Sequence, residues 1–386
     1  MNASFLENTG AEYAVGDRDF GRCWVEIDPG ALVKNARVAS GRLGAGAECM
    51  AVVKANAYGH GVGLVVEALR AEVRHFAVAN LKEAMELPEW VDRRCITILS
   101  PALPAERPAI AASGCVPMIS SWEEASAYAR AAGSTGAVPV HFCLDTGMGR
   151  MGVWEEDAVA LAGAIHSLDG LRVQSIASHL PCADEDDEYT VAQLERFHVL
   201  ARELVGRFFP QARVQVENSA GLLAFPGHAG DLARVGLMLY GESPRPEFQG
   251  ELEPVLAWKT RVTLVRDFGA GRGISYGRTY VTPRPMQVAT LAVGYADGYR
   301  RQMSGRGAEV LVGGKRCPVL GRITMDQIMV DVTGVSGVRA GSVAVLIGRQ
   351  EQGEIRVGEM AGWASSIPWE IYTGLGARVE RRIKSE

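Results

Sequence analysis

Eight short apolar runs recur between about residues 46 and 236, separated by segments rich in alanine and leucine. They span residues 49–53, 75–78, 95–99, 116–119, 138–143, 173–177, 214–216 and 232–235. Each is nearly continuous in apolar character rather than alternating, which is what a strand covered on both faces requires. Helical patterns lie between them at 62–71, 124–132, 158–165 and 191–208, with a short one at 220–225. Strand then helix, repeated eight times, predicts an α/β fold of the closed (β/α)8, TIM-like barrel kind, with its chemistry at the carboxyl ends of the strands. An open doubly wound sheet is the structural alternative, weakened because no GxGxxG motif opens the first crossover.

Past Pro254 the texture changes. Strand-like runs at 256–265, 286–293, 309–312, 317–320, 328–332 and 342–347 are divided by glycine-rich turns, and helical patterns are scarce until 357–364. The chain thus reads as a disordered lead-in at 1–22, a barrel at 23–250 and a mainly β C-terminal domain at 251–386. The segment at 23–28 is open to a second assignment, as a strand donated to the C-terminal domain. No window approaches the eighteen or so apolar residues of a membrane span. The lead-in carries Glu7, Glu12, Asp17 and Asp19 and does not read as a signal peptide. A net charge of -5 gives no reason to expect a nucleic-acid partner. Seven scattered cysteines, without a CxxC pair or a cluster with histidine, point to a reducing, cytoplasmic compartment and to no metal site.

The chemistry-bearing residues gather where the barrel reading places strand ends. Ala51-Val-Val-Lys-Ala-Asn-Ala-Tyr-Gly-His-Gly61 delivers Lys54 to the end of the first run. A lysine among apolar neighbours needs a partner or a task, and Schiff-base formation with an aldehyde is a task that suits a neutral amine. Alternatively, Lys54 snorkels out from an ordinary core strand; this peptide alone does not separate the two. Strand five runs into Leu144-Asp-Thr-Gly-Met-Gly-Arg-Met-Gly152, where Arg150 reaches inward or simply faces solvent. His179 ends strand six. At Glu217-Asn-Ser-Ala-Gly221 the amide of Asn218 and the hydroxyl of Ser219 precede a helix start, an arrangement that binds anions, and Gly236 and Leu237 offer backbone N–H groups nearby. An amine, a phosphate cradle, an arginine and a histidine on one rim suit pyridoxal phosphate, with Arg234 a candidate partner for the pyridine nitrogen. The C-terminal domain adds tyrosine-bearing patches at 274–280 and 294–300 and a third at 321–327; each tyrosine is equally at home as a packing residue, and Met325 is by default core.

These motifs, in this order, closely resemble the bacterial alanine racemase family, over about residues 23 to 381. The resemblance implies a small amino-acid substrate, pyridoxal 5'-phosphate as cofactor and a head-to-tail homodimer. It implies that Lys54 is the cofactor-linked lysine and the base on the D side, that Tyr58 contacts the phosphate, and that Arg150 lies near the cofactor's phenolic oxygen and the substrate carboxylate. His179 falls beside the ring, Asn218, Ser219, Gly236 and Leu237 around the phosphate, and Arg234 at the pyridine nitrogen. Tyr276 becomes the base on the L side, supplied with Met325 by the other subunit, while Tyr295 and Asp326 lie around the substrate entrance. Three positions depart from the family pattern: Cys143 replaces a lysine that is carbamylated in many members, Gln215 a histidine, and Ala377 a tyrosine. A racemase of other amino acids, such as serine, lysine or arginine, is the alternative activity, and a pyridoxal-phosphate-binding protein without catalysis a further one.

Overall fold

The computed structural model describes residues 21–133, 136–228 and 230–384; the expected lead-in falls almost wholly outside them. The first strand, β1 (Cys23–Ile27), does not enter the barrel. Asp28 caps the helix Pro29–Gly41 by accepting from the Ala31 N–H, and Pro29 opens it with a preset φ. The barrel strands then follow: β2 (Glu48–Val52), β3 (His75–Val78), β4 (Ile96–Ile98), β5 (Val116–Ile119), β6 (Val138–Asp145) with a two-residue spur β7 (Val153–Trp154), β8 (Leu171–Ala177), β9 (Arg213–Gln215) and β10 (Leu232–Val235). Neighbours are parallel throughout, and β10 returns to pair with β2. The remaining seam, between β9 and β10, is bridged where the Arg234 N–H donates to the Glu217 carbonyl at 3.0 Å. The result is a nearly closed eight-stranded parallel barrel.

The second domain is built on β11 (Leu256–Phe268). β1 runs antiparallel to it, with Cys23 opposite Thr260 and Ile27 opposite Leu256, and the last strand, Glu380–Ile383, lies parallel to β1 on the far side. Residues 23–27 therefore belong to the second sheet, and the chain crosses between domains immediately afterwards. Asn35 fixes that crossing: its buried amide donates to the carbonyls of Leu239 (3.1 Å) and Glu253 (2.8 Å) and accepts from the Glu253 N–H (2.9 Å). Apolar burial runs unbroken from the barrel into the sheet through Leu239, Leu252, Val255 and Leu256. Among the described residues, no helix is long and apolar enough to cross a membrane.

Candidate active site

Lys54 leaves the carboxyl end of β2 and enters a turn of unusual hand. Ala55, Asn56, Ala57 and Tyr58 all have φ between 51° and 54°, one left-handed turn built without glycine. Such backbone costs on the order of 1–2 kcal/mol per residue, so its neighbours must hold it. Glu83 does so with both oxygens, accepting the Ala55 N–H at 3.0 Å and the Ala79 N–H at 2.7 Å. Asn56 Oδ1 accepts from the Val62 N–H at 2.8 Å. His60 lies beneath, with Nδ1 3.1 Å from the Ala57 carbonyl and 3.0 Å from that of Tyr58, so Nδ1 carries the proton. Burial first of all pushes this imidazole down to about 4, and it stays neutral.

The turn opens onto a cavity of about 550 Å³ at the carboxyl ends of the barrel strands, lined by Lys54, Tyr58, Arg150, His179, Asn218, Ser219, Arg234, Gly236 and Leu237 among others. Burial, then the cations of Arg150 and Arg234, depress the Lys54 ammonium, with Glu83 acting the other way. A depressed ammonium is what a nucleophilic amine needs. On one side Ser219 Oγ accepts from the Gly236 N–H at 3.0 Å, and the Tyr58 hydroxyl lies so close to Gly236 that a Cβ there would fall 2.7 Å from it. Asn218 spends its amide on the turn itself, capping Gly221 N–H at 3.0 Å and donating to the Leu180 carbonyl at 2.9 Å.

Across the cavity, Arg234 is anchored at both terminal nitrogens: Nη1 donates to Gln215 Oε1 (2.9 Å), and Nη2 faces the carbonyls of Ser178 and Val216 and lies 3.3 Å from His179 Nδ1. An arginine can only donate, so His179 accepts at Nδ1 and keeps its proton on Nε2. Burial, then Arg234, Arg150 and Lys54, push that ring down to about 3, leaving it neutral. Arg150 follows the loop that Asp145 folds by accepting from the N–H groups of Gly147 (2.9 Å) and Gly149 (3.1 Å). Gly147, at φ +140°, leaves room for the Tyr189 hydroxyl, which a Cβ would meet at 2.0 Å.

Tyr276, Tyr295, Met325 and Asp326 are not in this cavity. They sit on the second domain, with Tyr276 71% and Met325 52% exposed. Backbone bonds join their loops: the N–H groups of Tyr295 and Ala296 donate to the carbonyls of Thr324 and Met325, and Arg378 ties Asp326 to Asp297. One chain therefore carries a lysine-bearing cavity and, apart from it, a patch bearing two exposed tyrosines.

Comparison with known proteins decides the family. The family profile described as alanine racemase, N-terminal domain, matches residues 27–244, and that described as alanine racemase, C-terminal domain, matches 255–383. The chain belongs to the alanine racemase family. An alanine racemase of Symbiobacterium thermophilum is 40% identical over 93% of this chain and 96% of its own, and one of Halothermothrix orenii 38% identical over 94% and 97%. Among solved structures, alanine racemase from Streptomyces coelicolor superposes with a TM-score of 0.87 at 33% identity, covering 95% of this chain and 98% of that one. Alanine racemase from Bartonella henselae, solved with covalently bound pyridoxal phosphate, superposes with a TM-score of 0.83 at 29% identity, covering 93% and 99%.

Against the alanine racemase pattern, the three departures have distinct surroundings. Cys143 is buried beside Met118 and Ala177, with Leu99 and Met151 against them, and burial pushes its thiol up to about 11, so it is no anion. Arg150 accordingly has no carboxylate within ion-pair distance among the described residues. Gln215 stands under Arg234 as a neutral acceptor. Ala377 opens the segment beside Arg378. Trp369 and Thr373, from the helix Pro368–Thr373, line the cavity and were not expected from sequence, nor was Glu83. Glu83 did carry a signal: Asn80-Leu-Lys-Glu83 has capping-box spacing, and the Glu83 N–H donates to Asn80 Oδ1 at 3.0 Å.

Proposed function

We propose that the cavity holds pyridoxal phosphate and that the chain uses it to interconvert L- and D-alanine, the D isomer serving cell-wall peptidoglycan. The observation that carries this reading is the depressed Lys54 ammonium in a cavity shared with Arg150, Arg234 and a donor set made by Ser219, Tyr58 and Gly236. The residues fit the cofactor. The Ser219 and Tyr58 hydroxyls converge beside Gly236 where a phosphate would sit, Gly236 admits the Tyr58 hydroxyl where a side chain would not, and Arg234 would offer the ring nitrogen a donor. When bound, the cofactor supplies an aldehyde for the amino group and an electron-withdrawing ring that acidifies Cα.

The rest falls to the chain. Arg150, with no competing carboxylate among the described residues, can hold the substrate carboxylate. Neutral His179 would lie beside the ring without adding charge. Lys54 Nζ takes or returns the Cα proton on one face; a second group must do so on the opposite face, within about 3 Å of the same carbon. We assign that group to Tyr276 of the partner subunit in a head-to-tail homodimer, with Met325, Tyr295 and Asp326 around the entrance. Support comes from the exposure of this patch and its separation from the cavity of its own chain. The seven cysteines are free thiols, which supports a cytoplasmic setting.

The test mixes inactive Lys54→Ala and inactive Tyr276→Phe proteins under subunit exchange, and follows deuterium entry at Cα of both alanine enantiomers. Random exchange restores both groups in about a quarter of the sites. Verified exchange without recovery would place both groups in one chain.

A further inference from the structure

The barrel interior holds a polar chain that the reaction as described leaves unused. It starts at Arg234 and runs through Gln215, Ser175 and His141 to Thr97, every side chain nine-tenths or more buried. The distances are 2.9 Å from Arg234 Nη1 to Gln215 Oε1, 2.6 Å from Gln215 Nε2 to Ser175 Oγ, 2.6 Å from Ser175 Oγ to His141 Nδ1 and 3.0 Å from His141 Nε2 to Thr97 Oγ1.

Counting donors fixes the direction of each bond. Arginine only donates, so Gln215 must turn its oxygen to Arg234 and its NH2 to Ser175. Ser175 Oγ thus receives a proton, and among the described residues its own proton has one acceptor, His141 Nδ1. Gln215 Nε2 also approaches that nitrogen, at 3.4 Å, and it too can only donate. His141 Nδ1 therefore accepts, the ring proton sits on Nε2, and it is given to Thr97. A proton on His141 Nδ1 would set two donors against Ser175 and leave the serine proton unplaced. The titratable and charged groups acting on the ring are Arg234, His75 and Arg213, all of which disfavour a second proton; burial is the larger cause, and the imidazole is pushed down to about 3.

We propose that His141 is a positioning residue for Arg234, acting through Ser175 and Gln215 from inside the barrel. The acceptor tautomer of His141 orients the Ser175 hydroxyl, the hydroxyl holds the Gln215 amide, and the amide oxygen holds Arg234 Nη1. Were the amide to flip, its NH2 would face the guanidinium, two donors in contact. Arg234 would then turn away from both the ring nitrogen and His179. The inference rests on Arg234 serving the cofactor's ring nitrogen, as proposed above.

Two measurements test it. In full-length protein with 15N-labelled imidazoles, studied with and without pyridoxal phosphate, His141 Nδ1 is expected to be unprotonated and Nε2 protonated. A protonated Nδ1, or a doubly protonated ring at neutral pH, overturns the proposal. Separately, pyridoxal phosphate is titrated into cofactor-free Ser175→Ala, His141→Phe, the double variant and Ser175→Thr. Each of the first two is expected to weaken affinity about tenfold or more, the double variant hardly more than the worse single one, and Ser175→Thr, which keeps the hydroxyl, to retain most of it. Unchanged affinity in a folded Ser175→Ala, or losses that simply add, refute the relay. If the alanine and phenylalanine variants do not fold, the imidazole spectrum of the parent protein still decides. Failure of the parent to bind pyridoxal phosphate defeats the cofactor reading instead, whatever the tautomer.

Discussion

Replacing Glu217 with glutamine is expected to flatten the pH dependence of stability. Glu217 is fully buried just past the end of β9, and among the described residues no side chain hydrogen-bonds either carboxyl oxygen. Burial raises it from 4.5 to about 8, with only the His228 backbone opposing. Between those two values the unfolded chain has released the proton and the folded chain has kept it. Stability is fully present below 4.5 and falls by about 1.4 kcal/mol per pH unit until the folded value near 8 is passed. The loss amounts to about 3 kcal/mol at pH 7 and about 5 kcal/mol above pH 8. Glutamine has nearly the same shape and no charge. Its extra buried donors cost roughly 1–3 kcal/mol, but that cost does not vary with pH. The quantity to read is therefore how the difference between variant and parent changes with pH. Urea unfolding at half-unit steps from pH 4.5 to 9 should show the variant gaining on the parent by several kcal/mol and levelling off above pH 8. A difference that stays constant across this range would mean that the carboxyl is ionised in the fold, through a polar partner or water reaching it, and the reasoning from burial would be wrong.

Lys54→Ala is expected to abolish both covalent retention of the cofactor and racemisation in both directions; borohydride reduction and peptide mapping of the parent should find the adduct on Lys54, and an adduct on another lysine refutes the assignment. Gly236→Ala places a methyl 2.7 Å from the Tyr58 hydroxyl, so affinity for pyridoxal phosphate should fall about tenfold with little change in unfolding midpoint. Equal affinity would show that the cradle lies elsewhere. Gly59→Ala, at φ +78° and with its Cβ 2.2 Å from the Tyr372 carbonyl, should destabilise the protein by roughly 2–4 kcal/mol in urea unfolding and loosen the turn after Lys54. A neutral result would mean the left-handed turn tolerates movement of the 368–373 helix.

Much of the fold was legible because buried parallel strands announce themselves locally. The runs expected at 116–119, 232–235 and 309–312 are the observed strands Val116–Ile119, Leu232–Val235 and Glu309–Val312 residue for residue, and the helix expected at 357–364 is Val357–Ala364. Short or charged elements escaped. Gly353–Ile355 is three residues long, and Glu380–Ile383 reads Glu-Arg-Arg-Ile, as outer strands of a sheet often do. The candidate cavity was legible for a related reason: a barrel puts strand ends on one rim, so motifs ending successive runs must meet there.

Sequence alone thus determined the β/α repetition, the change to a mainly β domain and the set of polar residues at the barrel mouth, since each depends on the spacing of nearby side chains. Tertiary structure decided what those side chains do to one another. It sent β1 across to the second sheet, because a five-residue apolar strand pairs wherever an open edge lies. It imposed a left-handed turn on Ala55–Tyr58, which alanine and tyrosine disfavour and which Glu83, Asn56 and His60 together hold. It gave Arg234 a neutral glutamine for a partner and set Tyr276 on an exposed patch away from Lys54. Each of these is settled by groups far apart in the chain that meet only once the barrel has closed, and spacing along a sequence carries no record of such meetings.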